Sequence, residues 1–307
     1  YPELEPYGLD VVEEPGAGLV IPSVTAASFK GLTPWPRVDA LTPAPDKTLV
    51  EQSDFGLLPK VGEDGFTPFD AYARPEPEAK DAVPQIAIVI TGVGTSRAAT
   101  EAAITGTPAN VALALDVYAR GVEFWMSRSR DLGHEVLLGM PSEPSDFPFT
   151  DPGPSALLSL APPEENMKQL HWMLTRATGY FGVLSLYGSK FLTVEDQLKP
   201  ILGELKKRGL MYVDGGAEDS LAPRVAFKEK MRWAMVDIEL DANPGRADID
   251  EQLKAFEELA KKRSKAIARI SATPLALQRL GLWLNELEAK GLQLVPVSSL
   301  ANKQIIR

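Results

Sequence analysis

From residue 85 to the end, short apolar runs alternate with longer amphipathic stretches. The apolar runs fall at 85–91, 110–116, 134–140, 181–187, 210–214, 233–239, 266–271 and 292–297, and helical periodicity fills 96–105, 119–131, 164–178, 194–208, 219–229, 247–263 and 275–290. Ile86-Ala-Ile-Val-Ile90 is apolar without alternation, as in a strand covered on both faces. Such an alternation predicts an α/β protein built on seven or eight mostly parallel strands, in an open sheet or an irregular β/α barrel. Local signals agree with the spacing. Gly209 and Gly291 follow helical stretches as C-terminal caps do, and Thr193-Val-Glu-Asp196 reads as a capped first turn. Pro200 predicts a kink or a break in the helix over 194–208.

The first 80 residues read differently. They hold 12 of the 26 prolines, with 14 acidic and 6 basic residues, net −8; residues 81–307 hold 28 and 26, net −2. This composition predicts an acidic, Pro-rich arm over 1–80 with little regular structure, wrapped on the outside of a domain over 81–307. Phe66, Phe69 and Tyr72 are the side chains that could pin it there. A net charge of −10 argues against nucleic acid as the main partner. With no cysteine there is neither a disulfide framework nor thiolate chemistry. No stretch approaches the length of a transmembrane helix. The chain begins at Tyr1 rather than Met, so the expectation is a removed signal or anchor, or a trimmed chain.

In parallel α/β folds chemistry gathers at the carboxyl ends of strands. The first such end is the loop Thr91-Gly-Val-Gly-Thr-Ser96, which carries no carboxylate, histidine or lysine. Gly92-Val-Gly94 with Asp116 at the next strand end suggests a nucleotide fingerprint, but Arg97 stands where the third glycine belongs. The same glycines serve tight turns in many proteins. His134 and His171 are the two histidines. The first opens a strand, at the end away from the site, and the second lies in an amphipathic helix, so a two-histidine metal centre is not expected. Glu143, Asp146, Asp151, Asp214, Asp237 and Asp241 end or follow strands, where acids also serve as loop caps and ion-pair partners. Ser185, Ser189 and Ser271 are nucleophile candidates without a histidine placed to activate them.

Several blocks, in order, resemble the divergent polysaccharide deacetylase family. They are Ile86–Ile90 with its glycine loop, Gly133-His-Glu-Val-Leu-Leu-Gly-Met-Pro-Ser-Glu-Pro144, Asp151-Pro-Gly-Pro154, Gly182-Val-Leu-Ser-Leu-Tyr-Gly-Ser-Lys-Phe191, Gly209-Leu-Met-Tyr-Val-Asp214 and Leu294-Val-Pro-Val-Ser298. That family is similar to the NodB-type deacetylases, which implies a distorted β/α barrel over about residues 84–300. In that group a divalent metal held by one Asp and two His activates water against a sugar N-acetyl group. This chain departs from the pattern at those positions. Thr91 and Gly92 stand for the paired aspartates, Leu186 and Gly139 stand where histidines occur, and Ile270-Ser271-Ala272 stands for Gly-His-Pro. Asp214 is retained.

The resemblance therefore implies the fold and a periplasmic setting, and it argues against the family's activity. The first expectation is a non-catalytic protein of the bacterial cell envelope that binds a cell-wall glycan or an envelope protein, without metal or other cofactor. The alternative is a carbohydrate deacetylase or hydrolase with a non-standard site, using Asp214 or Glu143 as general base. In either case Thr91, Glu143, Tyr187, Ser189, Asp214 and Ser271 are expected to converge at one mouth of the barrel.

Overall fold

The computed structural model describes residues 25–78, 80 and 82–305. The first 24 residues of the expected arm lie outside them. The described arm forms a hairpin, β1 (Val50–Ser53) and β2 (Gly56–Pro59), and a short helix, α1 (Pro68–Tyr72). The domain then runs β3 (Gln85–Val93), α2 (Arg97–Thr105), β4 (Ala112–Leu115), α3 (Val122–Asp131), β5 (Val136–Ser142) and α4 (Pro163–Leu174). It continues through β6 (Gly182–Tyr187), α5 (Glu195–Lys207), β7 (Met211–Asp214), α6 (Ala222–Lys228), β8 (Trp233–Met235) and β9 (Ile238–Glu239). The last elements are α7 (Arg246–Arg263), β10 (Lys265–Ser271), α8 (Pro274–Leu284) and β11 (Gln293–Leu294).

The large sheet has the order β8-β7-β6-β5-β4-β3-β10-β9, with every pairing parallel. Its two ends meet, because β8 and β9 belong to one extended stretch. β8 pairs with β7 and β9 with β10, and only Val236 and Asp237 separate them. Even these two bridge the edges: the Val236 amide donates to Asp214 O at 2.9 Å and the Asp237 amide to Ile267 O at 2.7 Å. The stretch 233–239, expected as one strand, is thus divided between two neighbours and closes an irregular α/β barrel. β11 wedges beside the foot of β3, pairing only with Gln85 and Ile86. The chain then leaves the sheet at Pro296, which has no N–H to give a ladder. Near the top of β3 the register against β4 shifts between Ile90 and Val93, so the strand runs through Thr91 and Gly92 instead of ending at 91.

Alternation sorts the strand residues onto two faces. Ile86, Ile88, Ile90, Leu113, Val183, Tyr212 and Trp233 face the helices and form the larger core with them. Ala87, Val89, Ala112, Ala114, Leu137, Leu184, Val213, Ala234 and Ile267 fill the inside of the barrel. Small alanines on neighbouring strands suit a narrow lumen packed by side chains. Pro200 lies on the exposed side of α5, and the helix continues past it without the expected break.

The arm corrects a second expectation. It does not merely wrap the outside; residues 46–73 seal the foot of the barrel. Leu49, Phe69, Ala71, Tyr72 and Ala73 join the interior cluster. Thr67 caps α1, accepting from the Asp70 amide while Asp70 accepts from the Thr67 amide, and Pro68 occupies the first turn. Phe69 meets Phe181 edge-on at 6.1 Å and lies under the Arg232 guanidinium at 4.4 Å. Phe66 stays exposed and pins nothing. Arg130, buried on α3, ties the arm down. It donates to Thr42 O at 2.6 Å, Tyr72 O at 3.0 Å and Gly179 O at 2.9 Å. His134 is buried at this foot, its ring nitrogens 2.8 Å from Val111 O and 2.9 Å from Ile104 O, away from the strand carboxyl ends as expected.

Candidate functional site

The carboxyl ends of the strands form the barrel mouth. Thr91 and Ser271 are register partners there, on β3 and β10, and both face inward in line with Ala87, Val89 and Ile267. The same alternation turns Arg269 inward. Its Nη2 donates to Glu239 Oε2 on β9 at 2.5 Å. Beside them Asp241 Oδ2 accepts from the Ser271 amide at 3.0 Å. Burial raises the Asp241 carboxyl above its ordinary value, and the nearby Glu239 adds to this, against the opposing hydrogen bonds from Ser271. Two polar atoms of this group are buried without a partner: Arg269 Nε, a donor, and Asp241 Oδ1, an acceptor. Unpaired buried groups of this kind cost on the order of 1–3 kcal/mol each, and native folds keep few of them.

Across the mouth, β5 and β6 end in a second group. Tyr187 adopts a left-handed backbone conformation at φ +61°, unusual for a ring-bearing residue, and its side chain is 53% exposed. The loop after β5 adds the exposed Phe149 and Leu160. Ser189 is exposed, with its hydroxyl on the Ser145 amide and hydroxyl, at 2.8 and 3.1 Å. Glu143 is nearly buried and both its oxygens are occupied. Oε1 takes Lys190 Nζ at 2.6 Å, and Oε2 takes the Ser159 amide and hydroxyl, each at 2.6 Å. Burial works against the charge, but these donors outweigh it and hold the carboxyl below its ordinary value. Glu143 is therefore a weak base that latches two loops together.

Asp214 is placed apart from both groups. It shares the helix-facing side of β7 with Tyr212, while Met211 and Val213 point into the barrel. It is wholly buried. Oδ2 accepts from Ser220 Oγ at 2.6 Å and Tyr212 OH at 3.1 Å, and Oδ1 accepts from the Gly216 amide at 2.8 Å. Burial raises its pKa above the ordinary aspartate value, although the three donors and the more distant Arg269 pull the other way. Thr91, Ser271 and Tyr187 thus reach the mouth, Ser189 lies on its outer rim, Glu143 lies beneath the rim, and Asp214 belongs to the outer layer. Sequence reasoning passed over Arg269, Glu239 and Lys190. Arg269 did carry a signal, as a charge inside the run Ala266-Ile-Ala-Arg-Ile270.

A divalent ion needs several oxygen or nitrogen donors around one point. The positions that the sequence resemblance matches to metal ligands hold Thr91, Gly92, Gly139, Leu186 and Ser271. The leucine fills the space over the glycine: a Cβ built on Gly139 would stand 2.6 Å from Leu186 Cδ1. Among the described residues no three His, Asp or Glu side chains cluster closely enough to hold a metal. These residues do not fit the ion.

Known proteins agree with this architecture. A crystal structure of the uncharacterized protein ATU2773 from Agrobacterium tumefaciens C58 is similar, with 34% identity and a TM-score of 0.76, over 79% of this chain and 98% of that one. No curated protein matches the chain. Residues 88–301, well over half its length, match the divergent polysaccharide deacetylases, and the chain belongs to that family.

Proposed function

We propose that this protein is a carbohydrate-binding member of its family, acting in the periplasm on a cell-wall glycan, and that it does not use metal-bound water to deacetylate it. The observation that carries the reading is the polar group at the mouth, set across it from the exposed Tyr187. The half-buried side chains of Thr91, Ser271, Arg269 and Asp241 bring hydroxyl, guanidinium and carboxylate groups together there. A sugar hydroxyl both donates and accepts, so adjacent hydroxyls of one ring suit such a mixed set of donors and acceptors. Tyr187, exposed across the mouth, offers a face for the apolar side of a ring. Hydrolysis by a lone carboxylate has less support, since Glu143 is held as a latch and Asp214 is sealed from solvent. The envelope setting rests on the family; no helix among the described residues is long and apolar enough to cross a membrane.

Calorimetric titration with N-acetylglucosamine oligomers tests the reading. Binding is expected, weakened in Tyr187→Ala by about fivefold, as for the loss of roughly 1 kcal/mol of ring contact. Asp241→Asn is expected to weaken it as well. Absence of binding at millimolar oligomer, or binding untouched by both substitutions, would refute it.

A further inference from the structure

The loops after β3 and β4 enclose a second concavity, one strand along from Thr91. Its volume is about 530 Å³, and Gly94, Arg97, Asp116, Tyr118, Arg120 and Trp125 are among its walls. That volume lies in the range of small-ligand sites, roughly 300–1,000 Å³. Arg97 and Arg120 are both exposed, and among the described residues neither makes an ion pair or a hydrogen bond. Most of the other arginines are engaged: Arg128 with Glu101, Arg208 with Glu204 and Glu51, Arg279 with Asp250. In a chain of net charge −10, two unpaired guanidinium groups on one cavity form a local exception.

We propose that this cavity is a subsite for a carboxylate-bearing sugar of the glycan held at the mouth, an inference that rests on the glycan reading above. Guanidinium groups hold carboxylates through paired, charge-assisted hydrogen bonds. The charge balance selects a monoanion. Two arginines face one acid, Asp116, which accepts from the Tyr118 amide at 2.7 Å and leaves one positive charge in excess. Asp116 would take sugar hydroxyls and would repel a dianionic phosphate. Tyr118 links the cavity to the mouth. Its ring backs onto Gly153 and tilts against Trp172 at 5.7 Å, and its hydroxyl accepts from the Ser155 amide at 3.0 Å. Burial, the largest cause, raises its phenol; Asp116, Asp151 and Tyr187 all lie near enough to raise it further. In this proposal a chain resting on Tyr187 reaches the arginines past Tyr118.

A matched pair of ligands separates this inference from the reading beneath it. One is a tetrasaccharide alternating N-acetylglucosamine with glucuronate; the other is the same molecule with its carboxylates reduced to alcohols. At low salt the acidic form is expected to bind about tenfold more tightly, the value of one charge-assisted pair in a partly open cavity. The double variant Arg97→Gln, Arg120→Gln should erase that preference and leave binding of the reduced form unchanged. Both positions are exposed, and circular dichroism of the double variant is the check that the fold is kept. Equal binding of the two ligands, or a preference that survives in the double variant, overturns the anionic subsite while the glycan reading stands. If neither ligand binds the wild-type chain, both fall.

Discussion

Arg130→Met removes the guanidinium that ties the arm to the foot of the barrel and keeps most of the side-chain stem. In the native chain this group serves three carbonyls, at Thr42, Tyr72 and Gly179, and lies over the Tyr72 ring at 4.9 Å. Hydrogen bonds to a charged group contribute about 1.5–3 kcal/mol each. Against them, burial lowers the guanidinium from its ordinary value to about 10, which costs on the order of 3 kcal/mol of the charged form's stability. Taking the bonds near the low end of their range leaves a small net gain for the intact group. Its removal also strands two buried carbonyls, those of Tyr72 and Gly179, at about 1 kcal/mol each. The sum is a loss of about 3 kcal/mol, at the lower edge of what breaking one side of a buried charged contact costs. Urea unfolding followed by tryptophan fluorescence measures it, and trypsin digestion reports whether residues 25–80 detach first. Arg130→Lys should recover part of the loss, because an ammonium group lacks the planar fork that reaches several carbonyls at once. A change below about 1 kcal/mol, with the arm no more open to trypsin, would refute the account of the foot as a stapled plug.

Two further substitutions read the titration of buried carboxylates. Glu143 has a lowered folded pKa, so its contribution is present above the ordinary glutamate value and is lost as pH falls through the lowered one. Glu143→Gln should therefore lose about 1–3 kcal/mol at pH 7 and approach the wild type near pH 3, measured by thermal melts across that range; a pH-independent difference would contradict the latch. Asp214 has a raised folded pKa, so the folded chain holds that proton more tightly, and stability falls as pH rises from the ordinary aspartate value through the raised one. Asp214→Asn lacks that fall, and its melting temperature should gain on the wild type as pH rises above the ordinary aspartate value, whatever its absolute cost; a gap that widens with pH would mean that Asp214 is not held as a buried acid.

Much of the barrel was legible in the chain because its signal is local. The unbroken run Ile86–Ile90 announced a covered strand, and the helical stretches kept their period. What escaped depends on contacts between distant segments. Nothing within 233–239 reveals that its two halves pair with strands at opposite ends of the sheet; only closure of the barrel divides them. The plugging role of the arm rests on a few apolar side chains, among them Leu49, Phe69 and Tyr72, and these are diluted by the prolines and acids around them. At the site, the strand-end rule singled out one end of the barrel and said nothing of which side of the sheet a residue faces. Asp214 alternates with Met211 and Val213, and once those two fill the barrel it must turn toward the helices. The same alternation turns Arg269 inward beside Ile267, where a charge demands a partner that no local pattern could name.

The central claim is binding without metal-dependent deacetylation. It is tested most directly by one proton NMR experiment on the protein with tetrameric N-acetylglucosamine, run with and without added zinc. Saturation transfer to the sugar protons reports binding, and the acetate methyl signal in the same sample reports release. A lone carboxylate base supplies roughly 10²–10⁴-fold, far short of what an unactivated amide requires. The account predicts saturation transfer that fades in Tyr187→Ala, with acetate at background in both samples. Acetate accumulating in the wild-type sample and absent with Asp214→Asn would contradict it.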